Sequence, residues 1–327
     1  MRQRLGAYLI ILACLCPLAA QAQESTSVFN FLSLPNSAHA TALGGRNISL
    51  IEDDASLTFQ NPSLLSSVSN NTLSLDFLTY MKGCNAGGAS FARVAGERGT
   101  WGVNAQFVSY GSMTETLETG EIIGDMSALD FAFSGLYSYN LSDRWAAGAS
   151  GKLIYSKYAS YSSFAMAVDL GLNYYDEGHD FSFSVVVSNL GGQIKAFGEE
   201  HERLPYDLQL GFTKRIAHAP LRISVTMVDI NRWSSKYYYS GDGKPSFGRK
   251  LMNHFNVGLD IIPVQMVYVA VGYNFRRAYE MKAAGSSHAA GLTLGAGLNI
   301  KKFKLGVAYA KYHVSAPSLS LSIAYSL

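Results

Sequence analysis

Seven histidines, at positions 39, 179, 201, 218, 254, 288 and 313, are the side chains best suited to proton transfer or metal binding, and they are scattered along the chain. Hydrolysis by an activated serine needs a serine, a histidine and an acid or amide within reach of one another. No connection or strand of this sequence carries such a set. Glu199-Glu200-His201-Glu202 has the residue types of a cation site. One histidine in a run of charge fixes no geometry, so a solvated loop is the plainer reading. Gly148-Ala149-Ser150-Gly151-Lys152 resembles a phosphate loop, but it lacks the GxxxxGK spacing and falls on a strand. We expect no catalytic residue, no cofactor and no metal.

Two other groups gain meaning from their placement. Asp130, Lys152 and Asp169 fall on the less apolar faces of three successive strands. Lys152 is expected to bridge the two carboxylates, which lowers the cost of unpaired interior charge. The alternative is that the three sit at different heights and meet water. The stretch 230–250 carries Trp233, Tyr237, Tyr238, Tyr239 and Phe247 among Arg232, Lys236, Lys244, Arg249 and Lys250. Aromatic rings with arginine are common in binding hot spots, which makes this stretch a candidate partner site. An aromatic girdle with basic residues near lipid headgroups is the competing reading.

The elements that must position these residues are strands. From Phe164 to Tyr174, apolar Phe164, Met166, Val168, Leu170, Leu172 and Tyr174 alternate with Ala165, Ala167, Asp169, Gly171 and Asn173. Leu319, Leu321, Ile323, Tyr325 and Leu327 alternate with serines and an alanine in the same way. Successive side chains of a strand face opposite sides, so each segment has one apolar and one small or polar face. A soluble sandwich would put lysine and glutamate on the second face. Here that face is Ser, Gly, Ala, Asn and an occasional Asp, and only 15% of all residues are charged. The pattern predicts a membrane barrel with its apolar face on lipid.

The first 22 residues read as a secretory signal, with Arg2 and Arg4 before an apolar run and Ala20-Gln21-Ala22 at the cut. A lipoprotein signal ending at Cys14 is the rival reading. The remainder balances 24 basic against 24 acidic residues, which gives no basic field for nucleic acid. It keeps one cysteine, Cys84, so neither a disulfide nor a zinc cluster can form within it.

Strands are expected at 72–80, 85–94, 100–110, 127–139, 145–157, 162–175, 181–190, 205–216, 221–229, 251–262, 266–275, 289–300, 303–312 and 318–327. That is an all-β, 14-stranded antiparallel transmembrane barrel over 72–327. Every second connection is short, as periplasmic turns are, which places both termini on the periplasmic side and lipid around the wall. Segment 111–126 leaves room for a further hairpin. Residues 23–71 lack membrane strands and read as an N-terminal plug or cap. Their Asn61-Pro62 step suggests a turn and a short helix with proline first.

The run Ala42-Leu43-Gly44-Gly45, the pair Asp53-Asp54 before Ala55, and Asn61-Pro62-Ser63-Leu64-Leu65 resemble the N-terminal signature of FadL-like outer-membrane barrels. That superfamily includes the PorV and PorQ families of the type IX secretion system. Val28-Phe29-Asn30-Phe31-Leu32-Ser33-Leu34-Pro35, Asp169-Leu170-Gly171-Leu172-Asn173-Tyr174-Tyr175, Asn189-Leu190-Gly191-Gly192-Gln193 and Tyr309-Ala310-Lys311-Tyr312-His313 look most like the PorQ family. The resemblance spans nearly the whole chain after the signal. It implies an integral outer-membrane component of type IX secretion, in the attachment complex with PorU and PorV, that holds a PorZ-like surface protein. A FadL-like transporter of hydrophobic small molecules and a PorV-like cargo shuttle are the alternatives. One departure is the ending on Leu327, where many such barrels end on Phe or Trp, although Tyr325 lies on the same face.

Overall fold

The computed structural model describes residues 27–81, 83–116, 119, 122–234, 246–283, 285, 288–313 and 316–327. The expected signal, 1–22, lies outside them. Fourteen strands close into one antiparallel barrel in chain order, with the last paired to the first. They are β1 (Thr72–Met81), β2 (Cys84–Ala95), β3 (Gly99–Thr116), β4 (Ile122–Asn140), β5 (Trp145–Tyr158), β6 (Tyr161–Asp176) and β7 (Phe181–Lys195). The second half is β8 (Asp207–Arg215), β9 (Leu221–Met227), β10 (Phe255–Val264), β11 (Val267–Asn274), β12 (Leu292–Ile300), β13 (Phe303–Ala310) and β14 (Ser318–Ser326). Closure pairs Leu75 with Ile323 and Phe77 with Leu321. A closed sheet leaves no unpaired edge, which is the condition for a strand protein to sit in lipid.

The alternation sorts the faces. Along β1, Leu73, Leu75 and Phe77 point outward while Ser74, Asp76 and Leu78 are buried inside. Leu319, Leu321 and Ile323 are exposed on β14, and Ser318 and Ser320 are buried. Rings gather outside near the short turns: Phe91 on Trp101, Trp145 on Tyr174, and Phe303 on Tyr325, the last pair 4.7 Å apart between centroids.

Three departures from the sequence reading have local causes. Strands β3 and β4 run on past the expected ends at 110 and 127, pairing Ser112 to Thr116 with Ser127 to Ile122, and the register shifts between Ser109 and Ser112. Residues 251–253 belong to α2 (Phe247–Asn253), capped by Ser246, and β10 begins only at Phe255. The connection after β11 holds α3 (Phe275–Ala283).

Residues 27–71 lie against the inward faces of the wall. Val28 donates its N–H to Arg203 O at 3.1 Å, in the long connection between β7 and β8. The chain then passes to the middle of β14, where Ala38 N meets Ser322 Oγ at 2.7 Å. It rises through α1 (Ala38–Ala42), turns at Gly44 and Gly45, and descends again to Asn71, whose carbonyl accepts from Leu327 N. The sequence places both termini at the short-turn end. Leu327 lies beside Asn71, and the first described residues lie by the long connection between β7 and β8.

Glycines in the wall make room for it. A Cβ on Gly148 would stand 2.4 Å from Pro62 C, and one on Gly272 would stand 2.2 Å from Gly44 N. Side chains at these positions would push the segment off the sheet.

Candidate functional site: a ring of charge between the N-terminal segment and the wall

The strongest polar cluster joins that segment to β9 and β10. Ser37 caps α1 and accepts from Ala40 N, which sets the helix that carries His39. The imidazole lies flat on Tyr268 of β11, 3.7 Å between ring centroids and 8° between planes. Its Nδ1 is 2.8 Å from Glu52 Oε2, and its Nε2 is 2.7 Å from Asp260 Oδ1. Arg222 closes the ring. Its Nη2 reaches Glu52 Oε1 at 2.7 Å and its Nε reaches Asp260 Oδ2 at 2.8 Å. Arg222 and Asp260 are cross-strand partners in the β9–β10 register.

Carboxylates only accept, so both imidazole nitrogens must donate, and that requires the imidazolium. Burial alone pulls His39 down, but Glu52 and Asp260 outweigh it and raise its pKa to about 9. Burial pushes Glu52 up, yet His39 and Arg222 hold it well below the ordinary carboxylate range. Two cations and two anions alternate, so each charge in this largely buried site has a counter-charge.

The neighbouring acids divide the rest of the fastening. Asp53 pairs with Lys304 of β13 at 3.0 Å and accepts from Ser69 N at 2.6 Å. Asp54 accepts from Ser56 N and caps a 3-10 turn over Ala55–Phe59. Asn61 caps a second one, Pro62–Ser67, which Pro62 opens. Asn61 also donates to Ile48 O at 2.7 Å. Gly44 gives its N–H to Thr293 Oγ1 and its carbonyl to Asn274 and Arg277. The motif residues read from sequence are thus turns, caps and fasteners.

The interior charges divide differently from the expected bridge. Lys152 Nζ pairs with Asp169 Oδ2 at 2.6 Å and donates to Asn189 Oδ1 at 2.9 Å. Asp130 is held instead by Ser156, by Tyr110 Oη at 2.7 Å and by Tyr158 Oη at 2.8 Å. The register explains the split. Asp130 faces Ser156 across β4 and β5, four residues from Lys152, which is about 13 Å of strand. Lys152 and Asp169 border a void of about 10 Å³, which is the room of one water.

In the outer stretch, Arg232 donates to Tyr206 O at 3.0 Å and Trp233 Nε1 to Ile230 O at 2.6 Å. Trp233 stacks on Phe247, a residue that is 72% exposed. Tyr237, Tyr238 and Tyr239 lie outside the described residues.

Sequence reasoning missed His39, Glu52, Arg222 and Asp260 as a group. The signal was phase: Arg222 and Asp260 stand on inward positions, where charge needs a partner.

No family model matches the chain, and no curated protein does. Solved structures match its fold. The toluene transporter TodX of Pseudomonas putida superposes with a TM-score of 0.56 at 13% identity, over 92% of this chain and 99% of that one. The monoaromatic hydrocarbon channel CymD gives 0.55 at 12%, over 92% and 99%. A Pseudomonas aeruginosa FadL homologue gives 0.53 at 10%, over 89% and 98%. This chain has the fold of the FadL-type barrels.

Proposed function

We propose that the protein is an integral outer-membrane component of type IX protein secretion, a barrel closed by its own N-terminal plug. In this reading it works in the surface attachment complex, holding a PorZ-like partner beside PorU-like and PorV-like components. The observation that carries the reading is the fastening of residues 27–71 across the lumen by the His39–Glu52–Arg222–Asp260 ring. A membrane anchor needs a rigid body fixed in lipid, and a fastened plug supplies one. The PorQ-like phrases from Val28 to Pro35 and from Tyr309 to His313 supply the secretion system. The outer stretch around Arg232, Trp233 and Phe247, with Tyr237, Tyr238 and Tyr239, is the proposed contact.

A second reading is a transporter of hydrophobic small molecules, supported by the fold shared with TodX and CymD. One purification separates the two. The barrel is tagged, solubilised gently from native outer membranes, and its companions are identified. A stoichiometric surface protein, lost when Tyr237, Tyr238 and Tyr239 become Ser, supports the anchor. Many cargo proteins with a shared C-terminal domain point to a shuttle. A barrel recovered alone with a hydrophobic ligand points to transport.

A further inference from the structure

The wall has a hollow on its outward face, over β4 and β5. It is open to the lipid side and measures about 510 Å³, with Trp101, Tyr137 and Val168 around a floor of Gly135 and Gly151. The register explains its shape. Gly135 and Gly151 are cross-strand partners, with Val103 beyond one and Val168 beyond the other. One outward step along the strands, Phe133 faces Leu153, and both are exposed. One step the other way, towards the short turns, Tyr137 stands between Trp101 and Ala149.

Nothing inside the protein asks for glycine at either place. A Cβ on Gly135 or Gly151 would meet no atom within 4 Å, and neither has the positive φ that favours glycine. The inward Gly148 and Gly171 differ, since a Cβ there would strike Pro62 and Asn61 of the N-terminal segment. Glycine inside a strand weakens it, and it marks places where a ligand or another backbone comes close. At an outward position, whatever comes close lies outside the barrel.

Two observations say what that is. Gly135 lies five residues in from Asn140, the end of β4. That is about 17 Å of strand, and at a tilt of about 45° it puts the hollow among acyl chains rather than headgroups. Arg93 is the cross-strand partner of Trp101, is exposed near the short turn, and makes no ion pair among the described residues. A cation beside an aromatic belt is placed for a lipid phosphate.

We propose that the hollow is the seat of one phospholipid, with an acyl chain laid over Gly135 and Gly151 and the phosphate on Arg93. A second barrel is convex and would meet Phe133 and Tyr137 before it reached the glycines, whereas a single chain passes between them. The inference rests on the membrane-embedded part of the proposed function and is independent of the secretion role.

Photolabelling of the full barrel tests this. The folded protein is reconstituted in vesicles of phosphatidylethanolamine and phosphatidylglycerol, with a trace of phosphatidylethanolamine that carries a diazirine on one acyl chain. After illumination the label is mapped by peptide mass spectrometry. It should concentrate on β4 and β5 around Gly135 and Gly151, above the level on β12 across the barrel. Gly151→Leu fills the hollow and brings that label down to the β12 level. Arg93→Gln lowers it about fivefold at limiting probe. Even label around the barrel, or label that either variant leaves unchanged, overturns the seat. Even label on a barrel that runs as a dimer, broken by Gly151→Leu, gives the hollow to a second copy instead. A barrel that does not float with the vesicles overturns the membrane reading itself, and the seat with it.

Discussion

Around His39 and Glu52 the N-terminal segment meets the wall through charge, and around Phe29 to Leu32, by the long connection between β7 and β8, it meets the wall through rings and aliphatic side chains. The first contact is the four-membered ring of His39, Glu52, Arg222 and Asp260, joined by Asp53 with Lys304. The second packs Phe29, Phe31 and Leu32 on Leu78, Val108 and Ile154. Apolar burial favours any arrangement that hides the same area. Charge-assisted hydrogen bonds of 2.7–2.8 Å tolerate far fewer arrangements. The comparison teaches that packing keeps the segment in the lumen, and the ring fixes its height and rotation.

Removing one member of the ring gives the largest expected effect. Arg222→Met leaves Glu52 and Asp260 with a single cation between them. Loss of one partner from a buried pair costs about 3–5 kcal/mol. The variant should unfold at a lower denaturant concentration and expose residues 27–71 to protease before the barrel opens. An equally protected segment would show that the apolar end holds it unaided. Phe31→Ala offers the matched test at that end, with a cost of about 3–5 kcal/mol from the cavity. It should loosen the segment near Val28 while His39 stays in place.

A bulkier wall sharpens the same contrast. Gly272→Val puts side-chain atoms where Gly44 N now lies, 2.2 Å from the new Cβ. Overpacking of this kind costs about 1–3 kcal/mol or more. Since the segment is the movable partner, the barrel should keep its heat resistance while the segment gains protease sensitivity. If both fall together, segment and wall form one cooperative unit.

Much of the wall was legible from residues alone, and the ring was not. Strand positions follow from short-range alternation, as in Phe164 to Tyr174, and lipid outside with small residues inside makes that signal strong. The helices α2 and α3 escaped because they lie in long connections, where no inward or outward phase constrains the pattern. His39 and Asp260 are 221 residues apart, and no one-dimensional spacing joins them. Only the inward phase of Arg222 and Asp260 marks them as needing partners. The same blindness to height produced the expected Asp130–Lys152–Asp169 bridge. Phase places all three side chains inside, but register sets Asp130 beside Ser156 and leaves Lys152 to Asp169.

Acidity gives a smaller and graded test of the two ends. His39 has a folded pKa of about 9 against an ordinary 6.5. Its contribution, roughly 3 kcal/mol, is fully present below pH 6.5 and is lost as pH rises through 9. Glu52 is shifted the other way, so its contribution is present above pH 4.5 and is lost as pH falls below it. The ring is therefore strongest between about pH 4.5 and 6.5. Protease protection of residues 27–71 should decline from pH 6.5 to 9.5 in the native protein. His39→Gln, whose amide does not titrate, should show a lower but flat protection over the same range. The apolar contact of Phe29, Phe31 and Leu32 has no proton to lose, so protection near Val28 should not follow this curve. A decline of equal size at both ends would mean that the segment moves as one rigid piece, and that the ring holds the long-connection end as well as its own.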